Sequence, residues 1–346
     1  MDTFPRPSAA DVVRRCGSMS AMHWLDRLAV RAVSRPALYE PIFNEGWGDS
    51  DLLECFKEKS GAAGPIADID IAWSYSEFSD GAFHRDGTFA SPEIDLLPQA
   101  SGIAHVREVS PSGQASASVV FMAAFNDHGY ATRTKLAILL ARMGIASLML
   151  ENPYYGRRRP VPGQPMRTVT DFFAMGSAAV AEGRSLLKWL AANRPGPVGI
   201  TGYSMGGNIA ALISATTPFP IATAALAAAY SPGPVWMEGA LGAAIAWDAL
   251  GGTEAREELG LTLGLPSALR FPPPLLPTAA ILANPKLDGY IPRHAFEDLH
   301  KHWPGSELRW IDGGHASTML WRKNDLVRAI VDSFERLTTP AGGARD

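Results

Sequence analysis

From about Ser116 onward the chain alternates between short apolar runs of β-type composition and stretches with helical periodicity. The strand candidates are residues 119–124, 146–150, 198–201, 222–229, 278–283 and 307–311. Helices are predicted between them, at 136–143, 171–192, 205–215, 293–303 and 326–337. The clearest is 171–192, where Phe172, Met175, Ala179, Leu186, Leu187 and Leu190 share one face. Asp171 favours its positive start, and Asn193, Pro195 and Gly196 stop it. A strand that is apolar throughout is buried on both faces, and parallel strands need a crossover helix between them. The pattern therefore predicts an α/β architecture with a doubly wound, mostly parallel sheet.

Two segments break the alternation. Residues 1–95 read as an N-terminal helical and irregular extension, with an amphipathic stripe near 22–32. Residues 233–275 read as a cap insertion, rich in Gly, Ala and Pro, whose Trp236, Met237, Leu241, Ile245, Trp247 and Leu250 could cover a crevice. The expected core is then 96–232 with 276–337, and 338–346 is a tail. The insertion should lie over the C-terminal edge of the sheet, where such folds bind ligands.

Composition excludes several classes of function. With 31 basic against 35 acidic residues, no excess of positive charge exists to meet a phosphate backbone, so no nucleic-acid partner is expected. Cys16 and Cys55 are too few for a disulfide framework and lack metal-ligand spacing, which suggests a reducing, cytoplasmic setting and neither metal nor organic cofactor. Asp11, Arg14 and Arg15 interrupt the first twenty residues, so no secretory signal is expected. The stretch 195–237 carries no charge and no histidine, yet Pro218, Pro220, the cluster of Gly202, Gly206 and Gly207, and Asn208 argue for buried strand, helix and strand rather than a transmembrane segment. Assembly as a homo-oligomer is compatible with all of this.

The sharpest motif is Gly202-Tyr203-Ser204-Met205-Gly206-Gly207. By composition alone a Gly-x-Ser-x-Gly arises in about one such chain in four, so its placement, directly between a predicted strand and a predicted helix, carries the weight. A serine on so tight a turn takes strained dihedrals, and small neighbours let the backbones close in, which pushes the hydroxyl clear of the sheet. A serine hydroxyl needs a base, and the base needs a carboxylate to orient it. In this architecture the order is serine, acid, histidine. His315, in Asp312-Gly313-Gly314-His315, follows the last strand candidate, and Asp288 follows the strand before it. His294, His300 and His302 share one predicted helix and read as surface residues; His23, His84 and His105 read as structural. For the oxyanion, Met205 at a helix start offers one backbone donor, and Phe125, after strand 119–124, is favoured over Asn126 for the second. Asp127 and His128 are read as shaping that turn.

The chain resembles the α/β-hydrolase superfamily and, within it, the group named for α/β-hydrolase domain-containing protein 18. Four stretches carry the likeness: Leu150-Glu151-Asn152-Pro153-Tyr154-Tyr155-Gly156, Phe173-Ala174-Met175-Gly176, the elbow itself, and Asp288-Gly289-Tyr290-Ile291-Pro292-Arg293 with Gly313-Gly314-His315. The resemblance implies an α/β-hydrolase fold and a triad of Ser204, Asp288 and His315, the residues already reached by position. It also implies glycines in the loop that here reads Ala124-Phe125-Asn126-Asp127-His128, a departure that bears on the second oxyanion donor.

The expected function is a serine hydrolase, esterase- or lipase-like, cleaving an ester or other acyl bond of a small-molecule or lipid-like substrate through an acyl-enzyme. The apolar insertion favours a hydrophobic acyl group. Tyr154, Tyr155, Tyr203 and Trp236 are the expected substrate-binding residues, and Arg157, Arg158 and Arg159 are read as a solvated run. An acyltransferase using the same triad and a non-catalytic binding protein are the alternatives.

Overall fold

The computed structural model describes residues 22–33, 40–163 and 165–339. The expectations placed on the first twenty residues, on Cys16 and on most of the tail lie outside these residues. Among the described residues one sheet of nine strands forms, in the order β1-β2-β3-β5-β4-β6-β7-β8-β9. The strands are β1 (Ala72–Ser79), β2 (Ala82–Ala90), β3 (Ile103–Ser110), β4 (Ala117–Met122), β5 (Ile145–Leu150), β6 (Val198–Tyr203), β7 (Ala222–Leu226), β8 (Ala280–Pro285) and β9 (Glu307–Ile311). From β5 through β9 every neighbouring pair is parallel; β1, β2 and β3 run antiparallel and join the sheet on β5. Flanking helices are α1 (Trp24–Val33), α2 (Ser50–Lys59), α3 (Ala131–Arg142), α4 (Val169–Asn193), α5 (Met205–Thr216), α6 (Pro232–Met237), α7 (Arg256–Gly264), α8 (Arg293–His302), α9 (His315–Trp321) and α10 (Lys323–Thr338).

The apolar strands are buried on both faces, as their composition demands. In β4, Val119 and Phe121 pack with Leu136, Leu140, Ile330 and Phe334 on the α3 and α10 side. Val120 and Met122 pack with Leu186, Leu187, Ile209 and Ile213 on the α4 and α5 side. Each such aliphatic side chain contributes roughly 1.5–3 kcal/mol by leaving water. The start of α4 is fixed by a reciprocal cap: Thr168 Oγ1 accepts from the Asp171 amide at 3.0 Å, and Asp171 Oδ2 accepts from the Thr168 amide at 3.0 Å.

One part of the expected organisation is corrected. Residues 72–90 are not helical or irregular but form β1 and β2 of the same sheet. Their hairpin turns on Asp80-Gly81, both in the left-handed region at φ 53° and 80°, the geometry a two-residue connection between twisted strands requires. The signal was weak because β1 is largely exposed and does not alternate.

The order of strands reverses at β4: the chain leaves it for β5 on one side and later lays β6 on the other. The crevice at the carboxyl ends of β4 and β6 is therefore where a ligand site is expected. The segment between β7 and β8, with α6, α7 and short 3₁₀ turns, packs against α4 and against the chain near Ile42. A single parallel bridge joins Ile42 to Ile245, with the Ile42 amide donating to the Ala244 carbonyl at 2.8 Å. No helix among the described residues is long and apolar enough to cross a membrane.

Candidate active site

Ser204 stands between β6 and α5 at φ 58°, ψ −119°, a conformation that costs on the order of 1–3 kcal/mol for a residue with a side chain. Its amide donates to the Leu226 carbonyl of β7 at 2.9 Å, which anchors the turn. The glycines around it are required by contact rather than by dihedral freedom. A Cβ at Gly202 would lie 2.2 Å from the Gly206 carbonyl oxygen, and one at Gly206 would lie 2.6 Å from that of Met122. Only without those atoms can α5 start this close to β4 and β6.

Asp288 and His315 arrive from the loops after β8 and β9 and meet. His315 Nδ1 lies 2.7 Å from Asp288 Oδ2, and the carboxylate is almost wholly enclosed. The other carboxylate oxygen, Oδ1, accepts from the amides of Tyr290 at 2.8 Å and Ile291 at 2.9 Å, so the acid is fixed before it orients the ring. Burial by itself would lower the pKa of His315; the adjacent Asp288 charge and its hydrogen bond, with a smaller contribution from Asp26, outweigh it and leave the imidazole above its ordinary value. Tyr203 links this pair to the serine. It immediately precedes Ser204, its ring centroid is 5.2 Å from that of His315, and its hydroxyl donates to the His315 carbonyl at 2.6 Å. Tyr203 is buried, so it braces the histidine instead of touching substrate, which corrects its expected role.

The loop after β4 is shaped by Arg133, whose guanidinium is buried. It donates to Asp127 Oδ2 at 2.6 Å, to the carbonyls of Phe121 at 2.8 Å and Leu150 at 2.6 Å, and to that of Gly129 at 2.7 Å. Asp127 thus holds the turn, as expected. The Asn126 amide donates to Tyr155 Oη at 3.3 Å, while Phe125 borders the same small cavity as Ser204 and Met205.

Tyr154 and Tyr155 are buried at 4% and 0% exposure, and neither borders the cavities at the serine. Their expected place on the substrate wall is corrected to loop packing: the ring of Tyr155 packs at a tilt against His128, centroids 4.9 Å apart, and its hydroxyl holds the Asn126 amide. Arg158 is likewise not solvated. It is wholly enclosed and pairs with Glu182 of α4 through two bonds of 2.8 and 2.5 Å, while also donating to the carbonyls of Glu151 and Ser101. Periodicity had hidden Glu182, which sits on the buried side of α4 because this partner neutralises it.

A cavity of about 40 Å³ opens at Ser204, between Phe125, Met205, Trp236 and Leu241. Trp236 is the one expected aromatic that does face the serine. Phe172, Met205, Asn208 and Pro232 also border a second, mostly apolar cavity of about 510 Å³, which runs between α4, α5 and the segment after α2.

Sequence reasoning missed Asp26 of α1. It is wholly buried, and its carboxylate accepts from the amides of His315 at 2.7 Å, Ala316 at 2.9 Å and Gly289 at 3.3 Å. An acidic residue in the first turn of an amphipathic helix is ordinary, so nothing local marked it.

The fold recurs in solved structures of low identity. Acetyl xylan esterase 1 from Thermoanaerobacterium sp. JW/SL YS485 aligns with a TM-score of 0.59 at 13% identity, covering 86% of this chain and 96% of that one. Acetyl xylan esterase from Paenibacillus sp. R4 gives 0.56 at 15%, covering 84% and 96%. An S-formylglutathione hydrolase from Agrobacterium tumefaciens gives 0.53 at 15%, covering 78% and 100%. At this level they show the α/β-hydrolase fold alone. Residues 40–267 and 252–336 match the family described as Alpha/beta hydrolase domain containing 18, a span that takes in the hairpin, the elbow, the acid and the histidine, and the chain belongs to that family.

Proposed function

We propose that the protein is a serine hydrolase that cleaves a carboxylic ester through an acyl-enzyme, with Ser204 as nucleophile, His315 as base and Asp288 as its orienting acid. The observation that carries this is the 2.7 Å Asp288–His315 pair, braced by Tyr203 beside a strained serine. With Nδ1–H committed to Asp288, the ring has Nε2 free of its proton to receive that of Ser204 Oγ. The serine oxygen then bonds to the carbonyl carbon, and the oxyanion is bound by the amides of Met205 and Phe125. His315 returns the proton to the departing alcohol, and a water, deprotonated by the same ring, hydrolyses the acyl-enzyme.

The acyl group is a long apolar chain. A cavity of about 150 Å³ holds a six-carbon benzene, so at the same density 510 Å³ holds about twenty carbons. Pro232, Pro266 and Phe271 of the segment between β7 and β8 form one wall of this volume.

A fluorophosphonate probe tests the reading without knowledge of the substrate. Labelling of the wild type that vanishes in Ser204→Ala supports it; folded wild type that stays unlabelled points instead to a binding protein on this fold.

A further inference from the structure

We propose that Asp26, delivered by α1 from the far end of the chain, is a positioning residue of the triad. It locks the loops of the acid and the base against each other; the inference rests on the serine-hydrolase reading.

The contacts are specific to those two loops. Asp26 Oδ2 receives the His315 amide and the Gly289 amide, and Oδ1 receives that of Ala316. Gly289 follows the acid directly; His315 is the base and opens α9. One carboxylate therefore joins the backbone beside Asp288 to the backbone of His315, and the 2.7 Å bond between their side chains is closed from behind. The chain before α1 adds a second grip, since the His23 amide donates to the Leu287 carbonyl at 3.5 Å.

The glycines of both loops are explained by this docking. A Cβ at Gly314 would lie 2.4 Å from His23 Cβ and 2.5 Å from Asp26 Oδ2, and one at Gly289 would lie 2.5 Å from Met22 Cγ. Gly314 and Gly289 thus leave the room that residues 22–26 occupy. A buried carboxylate satisfied by three backbone donors, all in two catalytic loops, is more than a helix cap requires.

The charge matters as well as the geometry. The groups that face His315 are Asp288 and Tyr290 from the loop after β8, Asp26 from α1, and Tyr203 from β6, while His23 lies against the neighbouring Gly314. Of these, Asp288 and Asp26 favour the imidazolium. Removing the Asp26 charge should make His315 easier to deprotonate while loosening its placement.

The test is the rate constant of fluorophosphonate labelling against pH, in wild type, Ser204→Ala, Asp26→Asn and Asp26→Glu, with melting measured alongside. A rate constant reports folded molecules and is not confounded by loss of protein. Asp26→Asn should slow labelling about tenfold to a hundredfold, as a displaced catalytic group does, and move the acid limb to lower pH. Asp26→Glu, which keeps the charge but overshoots the amides, should slow labelling while leaving the limb near the wild-type position, and it carries the test should the asparagine variant not fold. In Asp26→Asn a purely structural aspartate would lower melting and leave the limb where it was, and that result overturns the inference. So does Asp26→Asn, or Asp26→Glu in its place, at the wild-type rate. Unlabelled wild type would instead overturn the parent reading, and the inference with it.

Discussion

Each member of the candidate triad is held by backbone before it can act by side chain. Ser204 is fixed by the Leu226 carbonyl, Asp288 by two amides of its own loop, and His315 by Tyr203 and Asp26. Ser204→Ala or His315→Ala should therefore remove roughly 10⁴-fold of the proposed hydrolytic rate or more, with melting little changed, which steady-state kinetics and calorimetry would check. Because His315 is raised above its ordinary value, the acid limb of kcat/KM should lie above the free-histidine value of about 6.5. The same shift has a consequence for stability. A histidine whose pKa is higher folded than unfolded stabilises fully below the unfolded value and ceases to do so as pH rises through the folded one. The melting gap between wild type and Asp288→Asn should thus be wider near about pH 5.5 than near about pH 8.5, and equal gaps would contradict the pairing. That Ser204 would sit on a strained turn, and that Asp288 and His315 would meet, was legible from order and turn chemistry. Asp26 was not, because its partners are amides 263 to 290 residues away and no spacing rule links them.

At the level of elements, legibility followed periodicity. Strand β9 and the start of α5 fell where the apolar pattern placed them, since both are bounded by glycine or proline turns. Strand β1 escaped because an exposed edge strand has no buried face to print an alternation, and β2, whose buried positions are interrupted by the half-buried Arg85 and Asp86, escaped with it, although Asp80-Gly81 was a readable turn. The loop from Glu151 to Arg159 was readable as a motif but not as a structure. Three consecutive arginines suggest solvent, whereas Arg158 is spent entirely on Glu182, Glu151 and Ser101. Arg158→Met leaves Glu182 charged, buried and alone, and should cost about 3–5 kcal/mol in a denaturant titration. The double change Arg158→Met with Glu182→Leu should recover much of that loss, because it removes the orphaned charge along with its partner.

Across the whole molecule, the larger cavity joins regions that the sequence kept apart: the chain after α2, one face of α4, and α5 behind the serine. p-Nitrophenyl esters of increasing chain length should show kcat/KM rising into the long-chain range, and Ala181→Trp, set in the wall away from Ser204, should shorten the preferred chain while sparing acetate. A flat length profile in both proteins would remove the cavity from the mechanism. The reach of Asp26 has a last, temporal consequence. Its bond to His315 closes a span of 289 residues, and contacts between such distant points are expensive to close and late to form. After dilution from denaturant, turnover should return more slowly than far-UV ellipticity. On the ribosome, a growing chain that already carries Ser204 should lack the Asp26–His315 contact until the loop of His315 emerges and the waiting helix closes over it.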